Sequence, residues 1–109
     1  MDTRPLEVAN TIKSQISQHQ LMCYAAREFA AVGGKDYLHG LRFTVSGTSV
    51  LKNRKGIIQI LLNGSDLYDI TLFRKNKPNE VKKDIYAEDL NVTLDMLLET
   101  KEYWEGLLE

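Results

Sequence analysis

The side chains in this sequence that are best suited to nucleophilic or metal chemistry are His19, Cys23 and His39. His19 and Cys23 are four residues apart, a spacing that puts two side chains on one face of a continuous helix. A metal site would need further ligands, and a catalytic pair would need an orienting group and oxyanion donors. The surrounding sequence supplies neither. We therefore predict no catalytic residue, no metal ligand, no cofactor and no small-molecule substrate.

Structural roles explain the same three residues more simply. Cys23 is the only cysteine, so no intramolecular disulfide can form, and a reducing, cytoplasmic setting is expected. Because free cysteine is among the most buried residue types, we predict that Cys23 is a buried structural residue. His39 precedes Gly40 at the start of a predicted strand and is expected to be a loop residue.

The N-terminal third of the chain has helical periodicity. Leu6, Ala9, Ile12 and Ile16 form an apolar stripe after a proline, which predicts a helix over about residues 5–17. A second stripe from Leu21 to Phe29 is displaced from the first and indicates a break near residues 17–20. Gly33-Gly34 is expected to end this second helix, because glycine readily adopts the left-handed backbone of a helix C-cap.

Three strands are predicted in the middle of the chain. From Tyr37 the apolar residues alternate, as in a half-buried strand, and residues 57–63 are apolar at nearly every position, as in a central strand. Residues 67–73 alternate again, and the intervening Asn63–Asp66 has the residue types of a tight hairpin. Pro78 and Asn79 are expected to end the sheet in a polar loop.

Helical periodicity returns from about Tyr86 to Leu98, and Thr100 is a candidate cap for a last short helix. The predicted fold is a single α+β domain over residues 1–109. It has an N-terminal helix or helix pair, a three-stranded antiparallel meander and one or two C-terminal helices, in the order α-α-β-β-β-α. No apolar run is long enough to span a bilayer, so no membrane contact is expected.

Charge is distributed unevenly along the chain. Residues 1–34, 35–83 and 84–109 carry formal charges of 0, +6 and −7, although the total is only −1. In a meander, the loop between strands one and two and the loop after strand three lie at the same end of the sheet. Eight cations fall in these two loops: Lys52, Arg54, Lys55, Arg74, Lys75, Lys77, Lys82 and Lys83.

Three interpretations of these eight cations remain open. They could contact the phosphates of a nucleic acid, or an acidic protein, because local potential governs binding more than net charge does. They could equally be solubilising lysines that blunt exposed sheet edges. A third possibility is that the acidic C-terminal helices fold against them and cancel their charge.

The C-terminal aromatic segment offers a different kind of surface. Tyr103, Trp104 and Leu108 are candidate anchors for a protein partner or for a homodimer, because tryptophan and tyrosine are frequent interface hot spots. Burial in the core is the alternative, since a single tryptophan in a small domain is commonly buried.

Three stretches of the sequence resemble a family of small, mostly uncharacterised proteins encoded by bacteriophages, prophages and other mobile elements. They are Asn10–Ile12 in the first helix, Ile60–Ile70 across the hairpin and Ile85–Leu90 at the start of the third helix. The resemblance covers about residues 9–98, and the hairpin string is its most specific part. It implies a bacterial or phage cytoplasmic setting and transfers no catalytic residue. The sequence as a whole predicts a non-enzymatic accessory protein that binds a macromolecule.

Overall fold

An antiparallel sheet carries a layer of helices on one of its faces. The computed structural model describes residues 4–34, 37–46, 54–75 and 77–98. In chain order the elements are α1 (Arg4–Gln15), α2 (Gln18–Cys23), β1 (Arg27–Gly34), β2 (Tyr37–Ser46), β3 (Lys55–Leu62), β4 (Tyr68–Arg74), β5 (Lys77–Ile85), a 3-10 turn (Ala87–Asp89) and α3 (Leu90–Leu98). The predicted α+β class with an antiparallel sheet is confirmed.

In the part of the chain that the structure describes, the sheet has five strands side by side in chain order, and every neighbouring pair is antiparallel. The predicted strands correspond to β2, β3 and β4, and β3 is central, as its apolar sequence indicated. The predicted hairpin joins β3 to β4. Its turn is organised by Asn63, whose Oδ1 accepts hydrogen bonds from the backbone N–H groups of Ser65 (2.9 Å) and Leu67 (3.2 Å). The predicted meander has two strands fewer than the observed sheet, because β1 and β5 add one strand at each edge.

The predicted second helix is wrong beyond Cys23. The break at Ser17 is present, but α2 ends at Cys23, and Ala25 has a left-handed backbone (φ 51°) that a helix does not continue. The chain then enters β1, where the Phe29 ring packs on Phe43 with 5.2 Å between centroids. Pairing with β2 and this ring contact outweigh the helical preference of the alanine-rich sequence.

The polar loop predicted at Pro78 and Asn79 is also wrong, because both residues belong to the edge strand β5. Proline is tolerated on an edge strand, where its missing N–H need not pair with a neighbour. The pairing of β4 with β5 is irregular in two places, one of them near Asp84, which has a φ of 57°. Lysines, proline and bulges are the usual features that protect a sheet edge from further pairing.

Among the described residues, the buried side chains lie on one face of the sheet, and the core lies between that face and the helices. Alternate residues of the strands form the side of the core that belongs to the sheet, and residues of the helices and of one helix end form the opposite side. The buried strand residues are Leu41, Phe43, Val45, Ile58, Ile60, Tyr68, Ile70 and Leu72. Ala9, Ile12 and Ile16 from α1, Tyr24, and Leu90, Leu94, Leu97 and Leu98 from α3 complete the cluster.

Asn91 fastens α3 to the break between α1 and α2. Its Oδ1 accepts a hydrogen bond from the backbone N–H of Ser17 (2.7 Å), and its Nδ2 donates to the backbone oxygen of Gln15 (3.1 Å). The Gln20 amide donates to the backbone oxygen of Asn91 (2.9 Å). A helix break leaves main-chain groups without intrahelical partners, and Asn91 satisfies two of them.

Tyr68 on β4 connects the sheet to the C-terminal end of α1 by a hydrogen bond. Its hydroxyl donates a 2.6 Å hydrogen bond to Gln15 Oε1. Burial raises the pKa of the Tyr68 hydroxyl above its ordinary value of 10.0. The hydroxyl therefore stays protonated, and able to donate, at neutral and moderately alkaline pH.

Candidate nucleic-acid interface

The three residues suited to covalent or metal chemistry do not form a site in the described part of the chain. Cys23 is exposed on α2, so its predicted burial is wrong: the helix ends there, and Tyr24 enters the core instead. Cys23 Sγ lies 3.6 Å from His19 Nε2. His39 belongs to β2 rather than to a loop, and its ring lies against Gly33 on the neighbouring strand β1. Among the described residues, no three His, Cys, Asp or Glu side chains are arranged to hold a metal ion.

Basic residues from two separate connections meet at one end of the sheet. β2 and β3 pair from Ser46 and Lys55 onward, and β4 and β5 pair from Arg74 and Lys77 onward, so both connections lie at the same end. We call the five described cations at this end the basic edge: Arg54, Lys55, Arg74, Lys75 and Lys77. Arg54, Arg74, Lys75, Lys77 and Pro78 line a cleft of about 400 Å³ there.

The basic edge is assembled at a cost to the stability of the fold. Arg74 lies directly opposite Lys77 across the β4–β5 ladder, and like charges in this position repel. Lys75, in the turn between them, has a left-handed backbone (φ 55°), a conformation normally taken by glycine or asparagine. Among the described residues, none of the five cations has a carboxylate within 4.0 Å. The repulsion is therefore not relieved by a described acidic neighbour.

The other predicted cations are not part of this edge. Lys82 and Lys83 lie on β5, where Lys82 is opposite Ile70, about 17 Å along the strand from Lys77. Their predicted place in the loop that follows the third predicted strand is wrong, because residues 77–85 form the strand β5. Lys52 lies outside the described residues.

The described part of the acidic C-terminal region does not cover the basic edge through ion pairs. Asp95 on α3 accepts a 3.1 Å hydrogen bond from the Tyr24 hydroxyl, and Glu88 and Asp89 are exposed at the turn before α3. The candidate partner anchors Tyr103, Trp104 and Leu108 lie outside the described residues.

Two further residues lie on the sheet face that begins at the basic edge, Phe73 next to the edge and Arg42 further along β2, and neither was among the predicted site residues. Phe73 and Arg42 lie on the face of the sheet opposite the core, as the alternation of β4 and β2 requires. Phe73 is half-buried at the end of β4 next to the cleft, opposite Pro78 in the ladder, and Arg42 is exposed. The same alternation was visible in the sequence, where each residue follows an apolar core position.

No family model, no curated protein and no solved structure matches the chain. Within the described residues, every helix is too short or too polar to cross a bilayer.

Proposed function

We propose that the protein is a small cytoplasmic accessory protein of a phage or mobile element that binds nucleic acid through the basic edge and has no catalytic activity of its own. The phage setting rests on the resemblance of the hairpin string over residues 60–70. The binding function rests on one observation: Arg74, Lys75 and Lys77 are held together, without a described carboxylate partner, in an arrangement that lowers the stability of the fold.

Phosphates explain this arrangement better than solubility does. A lysine that only keeps a protein soluble can occupy any exposed position, as Lys82 and Lys83 do on β5. It does not need a second cation directly across the ladder, as in the pair Arg74 and Lys77. A polyanion that spans the cleft would convert the repulsion among the cations into attraction and release its own counterions.

Replacing Lys75 with asparagine should change the stability of the fold and the affinity for nucleic acid in opposite directions. Asparagine accepts the left-handed backbone, so Lys75→Asn should raise the free energy of unfolding by about 1 kcal/mol. Loss of one charge-assisted hydrogen bond to phosphate should weaken binding by about tenfold. Urea unfolding measures the first effect, and fluorescence anisotropy with a labelled oligonucleotide measures the second.

Lys83→Asn is the matched control, because it removes the same charge from an exposed lysine outside the basic edge. We expect it to change affinity by less than about twofold. If Lys75→Asn binds as tightly as the wild type, the basic edge does not contact phosphate and the proposal fails.

A further inference from the structure

The uncovered face of the sheet continues the basic edge with an ordered set of side chains. Cross-strand pairing places them in rows that run across β2, β3, β4 and β5. The row next to the basic edge is Thr44, Ile57, Phe73 and Pro78, and the second row is Arg42, Gln59, Thr71 and Val81.

None of these eight residues belongs to the buried core cluster, and the hydrophobic ones among them are not among the partly buried residues that pack against it. Val81 is 48% exposed, and Arg42 and Pro78 are exposed as well. In the described part of the chain, the face beside the basic edge therefore presents apolar and aromatic surface that no helix covers.

These two rows contain no acidic residue, so they do not oppose the positive charge of the basic edge. Arg42 is the only charged residue in either row. Within β2–β5, the first carboxylate on this face comes one row further on, at Asp69 opposite Leu61, while on β1 Glu28 lies in the bulge between Arg27 and Ala30 and is 3.8 Å from Arg27. Asp69 is already engaged, because its Oδ1 accepts hydrogen bonds from Asn63 Nδ2 (3.0 Å) and from the backbone N–H of Asp84 (3.1 Å). An anionic ligand can thus extend from the cleft over both rows without meeting an acidic side chain in them.

A ligand for this surface must present phosphates and apolar planar groups side by side. In a duplex the base faces are stacked on one another and are not available to a ring on the protein. In a single strand the bases can unstack and lie on an aromatic side chain while the backbone follows the cations. Phe73 supplies such a ring, and Lys55, which precedes Ile57 by two residues on β3, places a cation of the basic edge on the same face. Gln59, Thr71 and Arg42 supply polar groups that base edges can bind.

We propose that the ligand is single-stranded nucleic acid, with its backbone on the basic edge and at least one base stacked on Phe73. This inference rests on the proposed function and adds to it the kind of strand that is bound. Phe73 acts here as a binding residue, and Ile57 and Pro78 flank it in the same row.

The test compares three labelled probes of about 12 nucleotides: a single strand, an abasic strand with the same phosphates, and the matching duplex. The wild type should bind the single strand about tenfold more tightly than the abasic strand, because only the former offers a base to Phe73. Phe73→Leu should bind both equally, with the salt dependence of binding unchanged, and Phe73→Trp should preserve the preference. Val92→Ala, a change at an exposed apolar residue on α3, serves as the control and should leave all three affinities unchanged.

The outcomes separate this inference from the function on which it rests. If the wild type binds none of the probes at low salt, the proposed function fails and this inference with it. If it binds the duplex at least as tightly as the single strand, or binds the abasic strand equally well, nucleic-acid binding stands and the single-strand inference is overturned. A change of oligomeric state in Phe73→Leu by light scattering, with unchanged binding, would assign the face to a second copy of the chain and would equally overturn it.

Discussion

Reversing two charges at the centre of the basic edge should nearly abolish nucleic-acid binding. We expect Arg74→Glu/Lys77→Glu to lower the affinity for a single-stranded oligonucleotide by about 100-fold. The reason is the loss of two charge-assisted hydrogen bonds of about 1.5 kcal/mol each. The two residues are cross-strand partners, so a repelling pair of cations is replaced by a repelling pair of anions, and the ladder should remain. Anisotropy titrations give the affinity, and urea unfolding checks the fold.

Lys82→Glu/Lys83→Glu is the control for net charge. In each double variant two cations become two glutamates, which takes the formal net charge from −1 to −5. Both pairs involve β5, but Lys82 and Lys83 lie away from the cleft. We expect the control to lose less than about threefold in affinity, through long-range potential alone. Equal losses in the two variants would mean that net charge, and not the basic edge, governs binding.

Replacing Gly40 with alanine should have the largest effect on stability. Gly40 lies on β2 opposite Leu61, and a Cβ atom there would lie 1.9 Å from the backbone oxygen of Ile60. This neighbour is the backbone of the central strand and cannot rotate away. We expect Gly40→Ala to lower the free energy of unfolding by about 3 kcal/mol, as overpacking at a rigid site does.

Gly64→Ala is the control, because a Cβ atom there would have no neighbour within 4 Å. We expect it to change the free energy of unfolding by less than about 0.5 kcal/mol. Urea unfolding measures both variants, and their m-values should match that of the wild type. A Gly40→Ala protein as stable as the wild type would contradict the close β2–β3 pairing at this position.

The inner strands of the fold could be predicted from the sequence, and the two edge strands could not. β2, β3 and β4 bury side chains on the core face, and this leaves an alternating or continuous apolar pattern. β5 contributes lysines, a proline and two irregularities, which are properties of an edge and resemble those of a loop. β1 depends on its pairing with β2 and on the contact between Phe29 and Phe43, and neither is visible in local sequence.

The sequence predicted that two connections bring basic residues to one end of the sheet, but it predicted only some of the residues that lie there. A meander brings alternate connections to one end of a sheet whatever the number of strands, so the meeting of Arg54 with Arg74 and Lys77 could be anticipated. The inclusion of Lys82 and Lys83 depended on the length of the second connection, and that length changed when β5 proved to be a strand. The left-handed backbone of Lys75 is a property of the folded turn and leaves no sign in the sequence.

The most direct test of the central claim is the salt dependence of wild-type binding to a single-stranded oligonucleotide. If the five cations of the basic edge each neutralise one phosphate, the logarithm of the binding constant should fall with the logarithm of salt concentration with a slope of about −3.5. Affinity should then drop about 100-fold between about 50 and 200 mM salt. Absence of binding at about 25 mM salt, or a slope near zero, would contradict the claim that this edge binds nucleic-acid phosphates.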